Sequence, residues 1–376
     1  MKQLKIRHWL ASAIVMALGF STTASAQEAW KAEWAKLVEG AKKEGVVVVY
    51  GPPGPFQREA IVGGWEKAFP DIKIEYTAAR GTQVLPKVVR ERESGVYNWD
   101  IGLSSTDPTV YMLPAINALA PLREAVIDPD VLDDSKWHGG FNEGFVDKAR
   151  KYFYSPIGTA GMSLGYINRD CAGMEAIKSA DDLMRPELKG KMVSFDPLTP
   201  GSGSRSLWRV SVDKGVDWLK TLFIQQDVTI SKNYRQMTDW LLNCRKPIVF
   251  GVPFDPMQQL WKQGLAKNVF EMEGPAFFGN RGNGWAGANE NIGIFNNAPH
   301  PNAAKLFVNW YLSRDGQQNY ATLNSSNSRR KDVKPGNPNP SDELKSDVSY
   351  VAWGDEASID ELKKLQAAIE SWGIVK

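Results

Sequence analysis

Val46-Val47-Val48-Val49-Tyr50-Gly51-Pro52-Pro53-Gly54 is the stretch on which the fold turns. The apolar run is short and β-branched, which suits a strand buried on both faces. The Gly51–Gly54 cluster stops it as a turn. Upstream, Trp30, Trp34, Leu37, Val38 and Ala41 recur at helical spacing, and Gly45 ends that helix. Downstream, a second helix turns Ile61, Trp65 and Phe69 toward a core, and Ile72–Tyr76 reads as the next strand. A helix after Gly81 carries Val84, Leu85, Val88 and Val89 on one side. Asp100-Ile101-Gly102-Leu103 then forms a third strand, stopping at Ser104-Ser105-Thr106. Strand alternating with helix predicts an open α/β unit around a parallel sheet. Ligands of such sheets gather where strands end, so the Gly51–Gly54 and Ser104–Thr106 loops stand where a site is expected.

A second α/β region follows. Tyr152–Asn168 reads as a β-rich passage broken by Pro156 and Gly158, and Lys191–Phe195 as a strand. The loop from Asp196 through Gly201-Ser202-Gly203-Ser204 leads into a helix bearing Leu207 and Trp208. Val228–Ile230 and Pro247–Val252 are further strands, the latter ending at Pro253-Phe254-Asp255. Residues 280–291 are glycine-rich and read as a connector, as does the polar, proline-bearing stretch from Ser325 to Pro340. Pro301–Ser313 is an amphipathic helix, and Ser358–Trp372 is helical.

The N-terminus has the pattern of an export signal. Lys2, Lys5 and Arg7 precede an apolar run from Trp9 to Phe20, and Ala24-Ser25-Ala26 is a small-x-small cleavage site. Cleavage after Ala26 is expected, giving an exported, periplasmic chain. Removing those three of the 45 basic residues leaves a net charge of −1 against 43 acidic ones. Such a balance points away from nucleic acid and from an anionic membrane surface. The length allows two domains.

The only cysteines, Cys171 and Cys244, are either a disulfide or two buried thiols. After the signal only His138 and His300 remain, without ligand spacing, so no metal and no cofactor is expected. Gly161-Met162-Ser163-Leu164-Gly165 matches the nucleophile-elbow pattern, but strand-like residues follow Ser163 where a helix is required. An enzyme is not expected.

The binding candidates lie elsewhere. Ser202, Gly203 and Ser204 at a helix start can cradle an anion, or serve as a plain cap with its lead-in. Arg80 can meet a carboxylate or phosphonate bidentately, or stand solvated at a helix start. Phe254 and Asp255 offer a wall and an acceptor, or an N-cap. Trp285 is a hinge plug or a ligand wall, and Tyr234 serves a core or a cleft. Gly51, Pro52, Ser104 and Ser105 complete the set.

Several stretches together resemble one family. Glu33–Leu37 through Glu44–Gly51 is similar to the start of mature periplasmic solute-binding proteins of ABC importers, in the branch of ferric-iron, phosphonate, thiamine and polyamine binders. Val89–Gly95 before Trp99-Asp100-Ile101, Asn297–Trp310 with Ser313–Gln317, and Ser328–Val333 resemble the same group. The resemblance covers nearly the whole mature chain, and the Pro299-His300-Pro301 helix entry is its most specific piece. It implies a two-lobed type II fold, each lobe a mainly parallel sheet flanked by helices. Crossing strands then fall near Tyr154–Thr159, within Asn280–Ile292 and near Ser326–Val333. The corresponding division is a signal at 1–26, the first lobe at 27–156 and 285–326, and the second at 157–284 and 327–376. The implied function is capture of one small solute by a monomer for an inner-membrane ABC permease. Ferric-iron members use adjacent tyrosines where this chain has Val252-Pro253-Phe254-Asp255, and no Tyr-Tyr pair occurs. A small organic carboxylate or phosphonate is therefore expected. Ferric iron, and a secreted serine hydrolase using Ser163 with His300, are the alternatives.

Overall fold

The computed structural model describes residues 29–105, 110–158, 164–199, 202–252, 254–272, 284–286, 290–336, 343–344, 351–353 and 355–375. The signal segment, Ser163, Thr106 and Gly201 lie outside them.

Two five-stranded sheets organise the chain. In the first body, helix α1 (residues 29–44) leads into β1 (Val46–Gly51), and a helical stretch α2 (residues 55–68, with a π turn at Glu59–Gly63) follows. Then come β2 (Lys73–Ala78), α3 (Gly81–Glu93), β3 (Ile101–Ser104) and β4 (Leu119–Ala120). The sheet order is β2-β1-β3-β11-β4, where β11 (Asn291–Phe295) arrives from far along the chain. β1 runs parallel to β2 and β3, and β11 is antiparallel to β3 and β4. Val47 and Val49 enter the core beneath Trp65, while Val48 and Tyr50 pack on the opposite face with Val84 and Val88. The apolar run is thus covered on both sides, because successive residues of a strand point to opposite faces. Trp65 is fully buried and donates its indole N–H to the Ile72 carbonyl at 2.8 Å.

The second body holds β5 (Gly165–Asn168), β6 (Met192–Phe195), α4 (Ser202–Lys214), α5 (Val216–Gln225), β7 (Thr229–Ser231), α6 (Tyr234–Leu242), β8 (Ile248–Phe250), α7 (Phe254–Lys262) and β9 (Val269–Glu271). Its order is β7-β6-β8-β5-β9, with β6 parallel to β7 and β8, and β5 antiparallel to β8 and β9. Met192, Ile248 and Phe250 face one core, and Val193 and Val249 the other. Cys171 and Cys244 are joined by a disulfide, tying the turn after β5 to the entry of β8.

The chain returns through β10 (Gly284–Ala286) and β11 to α8 (Pro301–Leu312) and α9 (Arg314–Asn324) on the first body. β12 (Val351–Trp353) pairs with β10, and α10 (Ile359–Ser371) follows. The Pro-His-Pro entry of α8 is anchored by Asp100. This wholly buried carboxylate accepts from the Val48 amide at 2.7 Å, and from the His300 amide and ring Nδ1 at 2.9 Å each.

The passage Tyr152–Asn168, expected to be β-rich and broken by Pro156 and Gly158, is broken in the structure as well. Among the described residues it holds only isolated bridges at Tyr154 and Ile157, then β5, because its partners Ile292 and Ser328 are themselves crossing segments. Residues 328–330 contact the first body. Arg329 and Arg330 are buried in the first body beside Trp137, with Arg329 donating to the carbonyls of His138 (2.6 Å) and Gly140 (2.9 Å). Guanidinium groups withdrawn from water require such partners, and here the first body supplies them. Glu356 also binds the first body, its amide donating to the Val146 carbonyl at 2.9 Å. The tail reaches the second core with Leu365 and Ile369 of α10.

Candidate ligand-binding cleft

The first body's lip is built at the ends of β1 and β3. Gly51 lies opposite Ala78 in the parallel register. A Cβ there would stand 2.5 Å from the Tyr76 hydroxyl, so a side chain at 51 would displace the ring that crosses the strand end. Tyr76 donates its hydroxyl to the Pro52 carbonyl at 2.8 Å, which fixes the start of the loop. Burial, with the Glu290 carboxylate adding to it, raises the Tyr76 phenol far above its ordinary range, so it remains a donor. The Arg58 guanidinium lies 5.8 Å from the same ring. Ser104 closes β3 opposite Asn291, with its hydroxyl buried and without a hydrogen-bond partner. Ser105 is half-buried beside it. Arg80 is the N-cap residue of α3 and exposed, its amide donating to Gln83 Oε1 at 3.1 Å.

The second lip gathers the ends of β6 and β8 at the start of α4. Asp196 follows β6 and is buried. Its carboxylate accepts from the Leu198 amide at 2.9 Å and the Thr199 hydroxyl at 3.1 Å, with Lys232 at 3.5 Å, so local donors already satisfy it. Gly203 and Ser204, in the first turn of α4, are buried. The end of β8 presses on that turn. Gly251 has φ +71°, and a Cβ on it would lie 2.6 Å from Gly203 Cα. Two glycines thus let a helix N-terminus sit directly on the sheet edge. Tyr234, opening α6, stacks on Phe195 with ring centres 3.9 Å apart.

Side chains of the second body reach the first. Arg205 of α4 lies near Tyr111 of the first body, where its charge opposes the rise that burial imposes on that phenol. Lys262 of α7 stands 3.5 Å above the ring of Phe56, just beyond the Gly51–Gly54 loop. Within the first body, Tyr154 and Ile292 exchange backbone hydrogen bonds, and Tyr311 donates its hydroxyl to the Glu290 carbonyl at 3.1 Å.

Gly51, Pro52, Ser104 and Ser105 thus stand at the ends of β1 and β3 in the first body, and Gly203, Ser204 and Tyr234 at the starts of α4 and α6 in the second. Ser202 opens α4, Phe254 and Asp255 open α7, and Trp285 is central in β10, but the side chains of these residues lie outside the described ones. Tyr76, Phe195, Asp196 and Glu290 were not singled out from sequence. An aromatic or acidic residue closing an apolar strand was the available signal for the first three, whereas nothing local marks Glu290. His300 is engaged by Asp100 in the first body, which leaves the proposed Ser163–His300 pair without support. Among the described residues no group of His, Cys, Asp and Glu could hold a metal ion, and no helix is long and apolar enough to cross a membrane.

Solved structures share this architecture. Iron-bound HitA from Pseudomonas aeruginosa is similar at TM-score 0.63 and 16% identity, over 86% of this chain and 99% of that one. A Trichodesmium FutA structure with iron and citrate gives 0.64 and 14%, over 88% and 99%. AfuA from Actinobacillus pleuropneumoniae, with fructose-6-phosphate bound, gives 0.56 and 16%, over 88% and 99%. At such identities the likeness establishes the fold, which is that of type II periplasmic binding proteins. No curated protein sequence matches the chain. A family model described as bacterial extracellular solute-binding protein matches residues 52–318. The chain therefore belongs to the bacterial extracellular solute-binding protein family.

Proposed function

We propose that this protein is the periplasmic receptor of an ABC importer for a small organic anion, a carboxylate or phosphonate, held between its two bodies. The family is one of solute-binding transport proteins rather than enzymes. The observation that carries the anion reading is the first turn of α4, whose Gly203 packs closely on Gly251 at the end of β8. The positive dipole end of a helix N-terminus favours a negative head group. Arg205 in the same turn adds charge, and the buried Ser104 hydroxyl waits on the opposite lip. Ligand contacts on both lips stabilise the closed state, which the inner-membrane permease then recognises. One monomer binds one ligand.

Ferric iron is the second reading, favoured by the iron named for HitA and FutA. Against it, the chain has Val252-Pro253-Phe254-Asp255 at the strand end where the iron binders of this branch are expected to carry adjacent tyrosines, and no Tyr-Tyr pair occurs in the sequence. A thermal-shift screen of organic acids, phosphonates, amines and ferric salts decides between them. An organic anion is expected to raise Tm, and Ser202→Ala or Phe254→Ala to weaken that hit with little change in folding. A response to ferric salt alone, with a phenolate charge-transfer band, would replace the anion reading by the iron one. Wild-type affinity in both variants would put the pocket elsewhere.

A further inference from the structure

Helix α7 belongs to the second body but carries a stripe turned toward the first. Met257 is buried in the second core, and Leu260 and Trp261 pack against that core. Gln258 and Lys262, one turn apart, face the other way. The Gln258 side-chain amide donates to the carbonyl of Asn324, and the Lys262 ammonium donates to the carbonyl of Leu323 at 3.0 Å. Leu323 and Asn324 are the last two residues of α9, before Ser325 takes a left-handed conformation. Carbonyls in the last turn of a helix lack intrahelical partners, and the helix dipole is negative there. They are therefore natural receptors for a cation and an amide. The same ammonium lies 3.5 Å from the centre of the Phe56 ring, on the helix that follows the cleft loop. One lysine thus holds two separate elements of the first body, and Gln258 is 3% exposed beneath it.

We infer that Gln258 and Lys262 are positioning residues for closure: a ligand-independent latch that binds α7 to the α9 C-terminus and to Phe56, and so sets how much of the unliganded receptor is already closed. This rests on the two-body closure proposed above. A ligand that selects the closed form binds more weakly in proportion to any loss of that population. Removing the Lys262 ammonium deletes a charge-assisted hydrogen bond and a cation–π contact together. The closed-to-open ratio is then expected to fall about tenfold. No contact in the stripe involves the proposed anion cradle, so the latch acts on the lips and not on ligand chemistry.

The test needs no ligand. Dyes on Lys67→Cys and Lys220→Cys, exposed positions on opposite bodies, report the distance between the bodies by single-molecule energy transfer in the full chain. Lys262→Met keeps the length of the stem and loses the charge. It is expected to move molecules from the short-distance to the long-distance population, Lys262→Arg to restore them, and Phe56→Leu to give a smaller shift in the same direction. Melting temperature serves as the control, since a merely structural role for Lys262 would lower it without the Arg rescue of the distance. Unchanged distances in both Lys262→Met and Phe56→Leu overturn the latch. They leave the receptor reading intact, because that reading is decided by the ligand screen.

Discussion

Gly251→Ala against Gly173→Ala separates a local backbone cost from a cost paid by the cleft. Both glycines lie in the second body with positive φ, +71° and +81°. A Cβ at Gly173 meets nothing within 4 Å, so only the left-handed conformation is penalised, by about 1 kcal/mol. A Cβ at Gly251 would lie 2.6 Å from Gly203 Cα, a backbone atom that no rotamer change can move aside. Ordinary carbon contacts need about 3.5 Å, so the first turn of α4 must retreat by roughly 1 Å. Overpacking of this kind adds about 1–3 kcal/mol. Urea unfolding should therefore show Gly251→Ala less stable than Gly173→Ala by that increment, with similar m-values. Titration with the ligand from the screen should show Gly173→Ala binding normally and Gly251→Ala much more weakly, because the cradle has moved. Equal stability losses, or normal binding by Gly251→Ala, would refute the contact between α4 and the end of β8 as the wall of the site.

Reduction of the Cys171–Cys244 bond, which spans 73 residues, should destabilise the second body by about 4 kcal/mol in the chain-entropy model, read as a lower urea midpoint with reductant. The Arg330 guanidinium holds the Asp332 carboxyl below its ordinary range through bonds of 2.9 Å from Nε and Nη2. A depressed carboxyl stabilises the fold above its unfolded pKa, and that contribution is lost as pH falls through the folded value. Asp332→Asn should accordingly lose less stability than the wild type between neutral pH and pH about 3.5, in urea midpoints measured at both. Trp65→Ala, which empties a fully buried indole site and orphans the Ile72 carbonyl, should cost about 3–5 kcal/mol in the first body.

The first body was legible because its signals are local. The run at 46–50 alternates between two cores, and Trp65 falls on a helical period that meets α8. The crossing passages were harder to read. Tyr154 and Ile157 pair through single bridges to Phe145, Ile292 and Ser328, so no periodicity within the segment could show that its strand character there is confined to them. Arg329 and Arg330 look like surface residues in sequence. Their burial depends on Trp137 and on carbonyls of a distant loop, which no pattern within residues 327–336 reveals. At the cleft, the glycine and serine loops were visible as strand-end punctuation. Tyr76 and Glu290 were not, because their meeting depends on α8 and α9 packing behind the first sheet.

The measurement that bears most directly on a two-body clamp is small-angle scattering of the full chain with and without its ligand, at concentrations where calorimetry gives the stoichiometry. One ligand per chain and a smaller radius of gyration on binding are expected. A saturated complex whose scattering curve superimposes on that of the unliganded protein would contradict closure of the two bodies around a solute.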